Sequence, residues 1–458
     1  MHDLDKFFNP RSIAVIGASR TPGKIGYTIL ENIKMSFNGK IYPINPNTEE
    51  IMGLKCYPSV KEIKEPIDMA IIAVNAKIVP KVLEECGKKK ISSVIIISSG
   101  FSEINKKEIE DELKIIIKKY KIRVLGPNCI GIYKKGLDMF FMPRDRLKRP
   151  SEGYIGVITQ SGAFGSAILD LCSFYGIGVS KFVSIGNKID INEIELLEYL
   201  GKDPATRAIA IYLESTSDGV KFLKVAKEVV KNKPIVVLKA GKTRKGSEAV
   251  MSHTGALAGE YEVYQAAFKQ AGIIEASDTE ELFDFANALA KQPPLKDNKI
   301  AIITDGGGFG VVATDFAAMH GLELPQFSNE TINKIKAAVP EHVPIKNPLD
   351  VTGDATTERY AAVLDAVMAD KEISGIVIIV LLQIPTLDEK VIEVIAEKKS
   401  YGKPITVCMT GGSWTIEHMR TLEQKGIPVY LIPERAVSAM AALYQYGKIR
   451  AAQAEKAK

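Results

Sequence analysis

The chain has 458 residues and a mass of 50.0 kDa, beyond the size at which one hydrophobic core keeps growing, so two or three domains are expected. Its 46% apolar and 25% charged residues, with a mean hydropathy of +0.03, exclude the disordered and fibrous classes. The formal charge of +5 is the small difference between 60 basic and 55 acidic residues spread along the chain, which argues against a nucleic-acid partner, and five scattered cysteines without a CxxC pair fit neither a disulfide framework nor a zinc site.

The N-terminus "MHDLDKFFNP" lacks a hydrophobic signal core, and the longest apolar runs, "SVIIISSGF" and "SGIVIIVLLQIP", are too short to span a bilayer. A cytoplasmic protein with buried, reduced thiols is expected. The first block, residues 1–142, alternates the β-branched runs "SIAVIGA", "GKIYPIN", "DMAIIAVN", "SVIIISSG" and "KIRVLGPN" with helix-length segments. Such alternation predicts a parallel sheet covered by helices, here a Rossmann-like domain. A stretch rich in charge and proline, "PRDRLKRPSEG", reads as a linker at 143–153. A second α/β block at 154–295 holds "YIGVITQ", "KFVSIGN", "AIAIYLES" and "PIVVLKAG"; a third at 296–458 holds "KIAIITD", "GIVIIVLL" and "PITVCMTGG" and ends in a helical tail.

One arrangement occurs three times: a strand, a turn rich in glycine and serine, then a helix, at "IAVIGASRTPGKIGY", "IGVITQSGAFG" and "IAIITDGGGFG". Backbone N–H groups at a helix N-terminus, aided by the helix dipole, suit an anion. In the first turn a dinucleotide fingerprint would read GxGxxG with an acid closing the second strand. Here Gly17, Ala18, Ser19 and Arg20 occupy the turn and Asn45 stands where the acid belongs, which disfavours a nicotinamide cofactor. Arg20 and Lys24 favour a ligand richer in phosphate; the alternative is a turn whose glycines serve only tight packing. In the second turn Thr159 and Ala163 replace the glycines of a hydrolase elbow, so Ser161 reads as an N-cap or a phosphate ligand, not a nucleophile. The third, Asp305 followed by Gly306, Gly307, Gly308, Phe309 and Gly310, has no lysine and is not a P-loop.

His253 sits among small residues in "AVMSHTGALAG", within a segment from Lys242 to Gly259 that reads as a mobile or ligand-bound loop. Small neighbours admit a bulky anion to the ring, which suits a nucleophile acting on phosphorus; an exposed loop histidine is the competing reading. A nucleophilic histidine needs an orienting carboxylate, and Glu214, closing the strand "AIAIYLE", is the candidate; its alternative role is an ordinary edge charge. No histidine spacing suggests a metal site.

Taken together, "SIAVIGASRTPGKIGY", "IYPINPN", "ISSGFSE", "GPNCIG", "TQSGAFG", "SIGNKIDI", "YLES", "SHTGALAG" and "TDGGGFG" resemble, in order and over nearly the whole chain, the NDP-forming acyl-CoA synthetases, the superfamily that includes succinyl-CoA synthetase. Within it the alpha subunits of ADP-forming acetyl-CoA synthetases are the nearest likeness. The resemblance implies a CoA-binding Rossmann-like domain followed by two flavodoxin-like doubly wound domains. It implies that Gly17, Ser19, Arg20 and Lys24 hold the CoA phosphates, that Pro46, Val74, Ser98, Gly100 and Phe101 line the nucleotide and pantetheine path, and that Asn128 lies near the thioester. Ser161, Gly162 and Ala163, and Gly306, Gly307 and Gly308, match the helix N-termini that clamp phosphate, His253 the phosphohistidine and Glu214 its orienting glutamate. The implied reaction runs from acyl-CoA, ADP and phosphate to carboxylic acid, ATP and CoA, through an acyl phosphate and the phosphohistidine. ADP or ATP with Mg2+ is expected on a separate ATP-grasp beta subunit in an α2β2 heterotetramer, because the sequence ends before such a module. A CoA-binding regulatory or scaffolding protein with a dormant histidine is the alternative from another class.

Overall fold

The computed structural model of the chain describes residues 4–254 and 260–456, the side chains of 252–254 and 456 excepted. The described chain forms two compact units, one drawn chiefly from residues up to Ala271 and one chiefly from Gly272 onward.

In the first unit, the β-branched runs of the first block form five parallel strands in the order Lys40–Ile44, Ser12–Ile16, Met69–Ile72, Ser93–Ile96, Arg123–Leu125. Consecutive residues Ile13, Ala14 and Val15 are all buried, as are Ala70, Ile71 and Ile72, the signature of a sheet covered on both faces. A second sheet centres on Glu152–Thr159, with Val179–Ser184 on one side and Ala208–Leu213 on the other, all parallel, and Ile235–Lys239 beyond Ala208–Leu213. In the second unit five parallel strands run in the order Leu349–Asp350, Ile300–Thr304, Gly375–Ile379, Ile405–Cys408, Val429–Tyr430.

Counted from its first parallel strand, each sheet sets its second strand on one side of the first and its third on the other. That reversal opens a crevice at the carboxyl end of the first strand, where open α/β sheets bind ligands. Each of the three glycine- or serine-rich turns follows such a first strand: after Ile16, after Thr159 and after Thr304. The recurrence in sequence is therefore a recurrence of topology.

Two features depart from the sequence expectations. Short strands Ile132–Lys134 and Leu137–Asp138 precede the expected linker yet join the second sheet, the first of them antiparallel to Val179–Ser184. The charged stretch after them is held down because Asp138 is fully buried and needs cations: Arg144 and Arg149 each reach its Oδ2 at 2.9 Å. In addition, the expected loop after Lys242 is helical over Arg244–Thr254. Thr243 starts that helix by accepting the Gly246 N–H at its Oγ1 (3.1 Å), and the Ser247 hydroxyl donates to Gly241 O at 2.9 Å. Residues 255–259 lie outside the described residues. All five cysteines are buried free thiols, and among the described residues no helix is long and apolar enough to cross a membrane.

Candidate functional site

Gly17 ends the first strand with φ +91°, and a side chain there would bring its Cβ to 2.3 Å from Ala73 O, so only glycine lets the two strand ends approach at this switch point. Ser19 stabilises the turn by accepting the Thr21 N–H at 3.1 Å, and Arg20, Lys24 and Pro46 are exposed around it. Asn45, at the position a ribose-binding acid would take, donates to Ala18 O at 2.8 Å and so braces the same turn.

Val74 and Ser98 are locked together, Ser98 Oγ donating to Val74 O at 2.6 Å and accepting from Val74 N at 3.1 Å. They line a cavity of about 510 Å³ together with Asn128, Ser161, Gly162 and Ala163. Tertiary structure thus brings the expected thioester end of the first domain to the N-terminus of the helix Gly162–Tyr175. Ser161 Oγ accepts the Phe164 N–H at 3.3 Å, the N-cap geometry foreseen for it.

Gly100 and Phe101 are not among the residues lining this cavity. Phe101 is fully buried in the first domain's core, and the N–H groups of Gly100 and Phe101 are both taken by Glu103 Oε1, at 2.5 and 3.1 Å. Asn187, which carried no assignment in the sequence, lines the cavity and ties it to this loop, donating to Glu103 Oε2 and Glu110 Oε1 at 2.7 Å each while accepting from Asn128 Nδ2 at 3.2 Å. "SIGNKIDI" marked the segment; only the fold reveals which atoms its asparagine meets.

Glu214 lies at the carboxyl end of its strand, as expected, and is buried. The Tyr212 hydroxyl bonds to it; burial first, then the neighbouring carboxylate, pushes that phenol up to about 12, so it remains a donor at neutral pH. Phe164, from the first turn of the Gly162–Tyr175 helix, stacks on Tyr212 with ring centroids 4.0 Å apart. Glu214 and the phosphate-type turn are therefore neighbours in one unit. His253 falls within the helix Arg244–Thr254, and its side chain lies outside the described residues.

In the second unit Gly306 caps the helix Gly307–Met319, its N–H bonded to Thr304 Oγ1 at 3.0 Å, and Gly308 faces open space. A Cβ at Gly307 would sit 2.7 Å from Asp350 Oδ2. Burial pushes the Asp305 carboxyl up to about 6, opposed by the Leu381 N–H and the Tyr360 hydroxyl and reinforced by Asp350. Among the described residues no group of three or more His, Cys, Asp or Glu side chains is arranged to hold a metal ion.

Family models match the chain in order: a CoA binding domain over residues 11–135, a succinyl-CoA ligase like flavodoxin domain over 152–289 and a Ligase-CoA domain over 300–454. The chain is 44% identical over 470 residues to the alpha subunit of acetate–CoA ligase [ADP-forming] I of Pyrococcus furiosus, spanning 99% of this chain and 100% of that one. It is also 44% identical over 454 residues to the acetate–CoA ligase [ADP-forming] of Methanocaldococcus jannaschii, spanning 98% of this chain but 64% of that longer protein. An Archaeoglobus fulgidus relative of the same description is likewise spanned over 64% of its length. Among solved structures, the dinucleotide-forming acetyl-coenzyme A synthetase 1 of Ca. Korarchaeum cryptofilum, in complex with phosphate and ADP, superposes with a TM-score of 0.92 at 38% identity over 100% of both chains.

Proposed function

The chain belongs to the family of ADP-forming acetate–CoA ligase alpha chains, and from that premise we propose that it is the catalytic alpha subunit of an ADP-forming acyl-CoA synthetase. It converts acyl-CoA, ADP and phosphate to carboxylic acid, ATP and CoA. The observation that carries this reading is the cavity shared by Val74, Ser98 and Asn128 of the first domain and by Ser161, Gly162 and Ala163 of the second. A thioester held at one end of it lies beside an anion held at the other.

In the proposed sequence, CoA phosphates rest on the Gly17 turn with Ser19, Arg20 and Lys24, and the pantetheine arm passes Pro46, Val74 and Ser98 toward Asn128. Phosphate at the Ser161–Ala163 turn attacks the acyl carbonyl; the thioester C–S bond breaks, CoA leaves and an acyl phosphate remains. A His253 ring nitrogen then bonds to phosphorus as the bond to the acyl oxygen breaks, releasing the carboxylate. Glu214 orients that imidazole, and the Gly306–Gly308 turn is assigned as an anion-binding turn of the second unit. Fixed N–H dipoles suit this chemistry because phosphoryl transfer depends on positioning and on positive potential around spreading negative charge. We assign ADP with Mg2+, which neutralises the nucleotide phosphates, to an ATP-grasp beta subunit in an α2β2 assembly. The naming of two Pyrococcus furiosus relatives as alpha subunits supports a separate partner.

The test uses the full chain with acetyl-CoA and labelled phosphate. Acid-labile, base-stable label on the protein, absent from His253→Ala, is the expected result. An unlabelled wild type that still binds CoA rejects the catalytic reading in favour of a CoA-binding module.

A further inference from the structure

The backbone corner at Glu214–Ser215 is pinned at every polar group. Gln160 Oε1 accepts the N–H of both Glu214 and Ser215, the latter at 2.9 Å, while Gln160 Nε2 donates to Ser215 O at 2.7 Å. Lys188 Nζ reaches the same Ser215 oxygen at 2.8 Å, and Lys239 Nζ donates to Glu214 O at 2.9 Å. Lys239 is almost wholly buried, and its ammonium lies 4.6 Å from the centre of the Tyr264 ring. Burying such a cation is costly unless it is held by oxygens and ring faces, as here.

We propose that Gln160 is a positioning residue, which couples the phosphate-type turn beginning at Ser161 to the Glu214 carboxylate by holding both N–H groups and the far carbonyl of the Glu214 corner. The proposal rests on the reading of Glu214 as the residue that orients the histidine. The chemistry of the side chain explains the choice. Only a primary amide offers an acceptor with two lone pairs and a donor on one planar group at this length. A carboxylate accepts the two N–H groups but repels Ser215 O; an aliphatic side chain takes the Gln160 partner from both N–H groups and leaves Ser215 O to Lys188 alone. Gln160 lines the same cavity as Ser161 and Gly162, so a single side chain adjoins the turn and holds the corner.

The test compares the full-length wild type with Gln160→Met, Gln160→Glu, Glu214→Gln and the double variant Gln160→Met/Glu214→Gln. Each is assayed for the rate of label incorporation from acetyl-CoA and labelled phosphate, for the KM of each substrate and for CoA affinity. Misplacing a positioned group typically costs about 10²-fold, so Gln160→Met is expected to slow labelling by roughly 10- to 100-fold at saturating substrate, with both KM values and CoA affinity within about threefold of wild type. Because Gln160 acts through Glu214, the double variant is expected to be no slower than Glu214→Gln alone. Wild-type labelling by Gln160→Met with a slow Glu214→Gln overturns this inference and leaves the Glu214 reading intact; multiplicative effects in the double variant do the same. Wild-type labelling by Glu214→Gln removes both. If Gln160→Met and Gln160→Glu both lose CoA binding together with labelling, Gln160 is holding the fold and the proposal fails.

Discussion

Gln160 and Glu214 are 54 residues apart in sequence, yet the side-chain oxygen of the first takes the backbone N–H of the second. That bond is independent of the Glu214 carboxyl, so Glu214→Gln keeps the corner, and the Tyr212 hydroxyl retains an oxygen to donate to. The substitution is expected to leave the unfolding temperature near wild type while slowing phosphohistidine labelling by about 10²-fold or more. Labelling at an unchanged rate would refute the orienting role.

Gly17→Ala tests the first anion turn. The added methyl group would meet Ala73 O at 2.3 Å on a backbone held at φ +91°, so the strand ends must separate. Left-handed backbone alone costs about 1–2 kcal/mol for a residue with a Cβ, and the clash adds to it. Weaker CoA binding by at least about tenfold, read by calorimetry, is expected together with a lower unfolding temperature. A variant that binds CoA like wild type would separate this turn from the CoA site.

At Ser161 the hydroxyl caps its helix through the Phe164 N–H. Ser161→Ala is expected to cost about 1 kcal/mol of stability and to raise the KM for phosphate by roughly tenfold, the worth of one hydrogen bond to a charged group. The KM for acetyl-CoA should stay put. If instead it is the acetyl-CoA constant that moves, Ser161 belongs to the thioester end of the cavity.

Asp305 provides a pH signature in the second unit. Its carboxyl titrates at about 6 in the fold against an ordinary 3.8, so the native state holds an extra proton between those values. The contribution to stability is therefore fully present below about pH 4 and is lost as pH rises through 6, by at most about 3 kcal/mol at 1.36 kcal/mol per unit. Asp305→Asn keeps an acceptor for the Leu381 N–H and cannot ionise. Thermal denaturation of both proteins from about pH 4.5 to 7.5 is expected to show the wild type losing more stability than the variant as pH rises. Parallel curves would show that Asp305 is ionised across that range.

The parts of this molecule that were legible in sequence are those governed by neighbours in the chain. β-branched runs alternating with amphipathic segments announce covered parallel sheets, and small residues after such a run announce a turn that opens a helix. Gly17, Ser161 and Gly306 were found this way, and Ser161 caps its helix as that local chemistry requires. The position of Glu214 at the carboxyl end of a strand was legible because a strand end is itself a local feature.

Other features depend on which strands lie side by side, and no window of neighbouring residues carries that information. "TQSGAFG" displayed Gln160 without its partners, since Glu214 arrives from the adjacent strand; Lys239 comes from the strand beyond, 25 residues after Glu214. Phe101, expected along the CoA path, has its side chain buried in the first domain's core, while Glu103 takes its N–H and that of Gly100. The helix Arg244–Thr254 replaced an expected loop: Thr243 accepts the Gly246 N–H and Ser247 donates to Gly241 O, contacts that glycine and serine content alone does not foretell. Propensity and turn chemistry act over a few residues, whereas a hydrogen-bond partner is selected by sheet order and burial, and those exist only once the chain has folded.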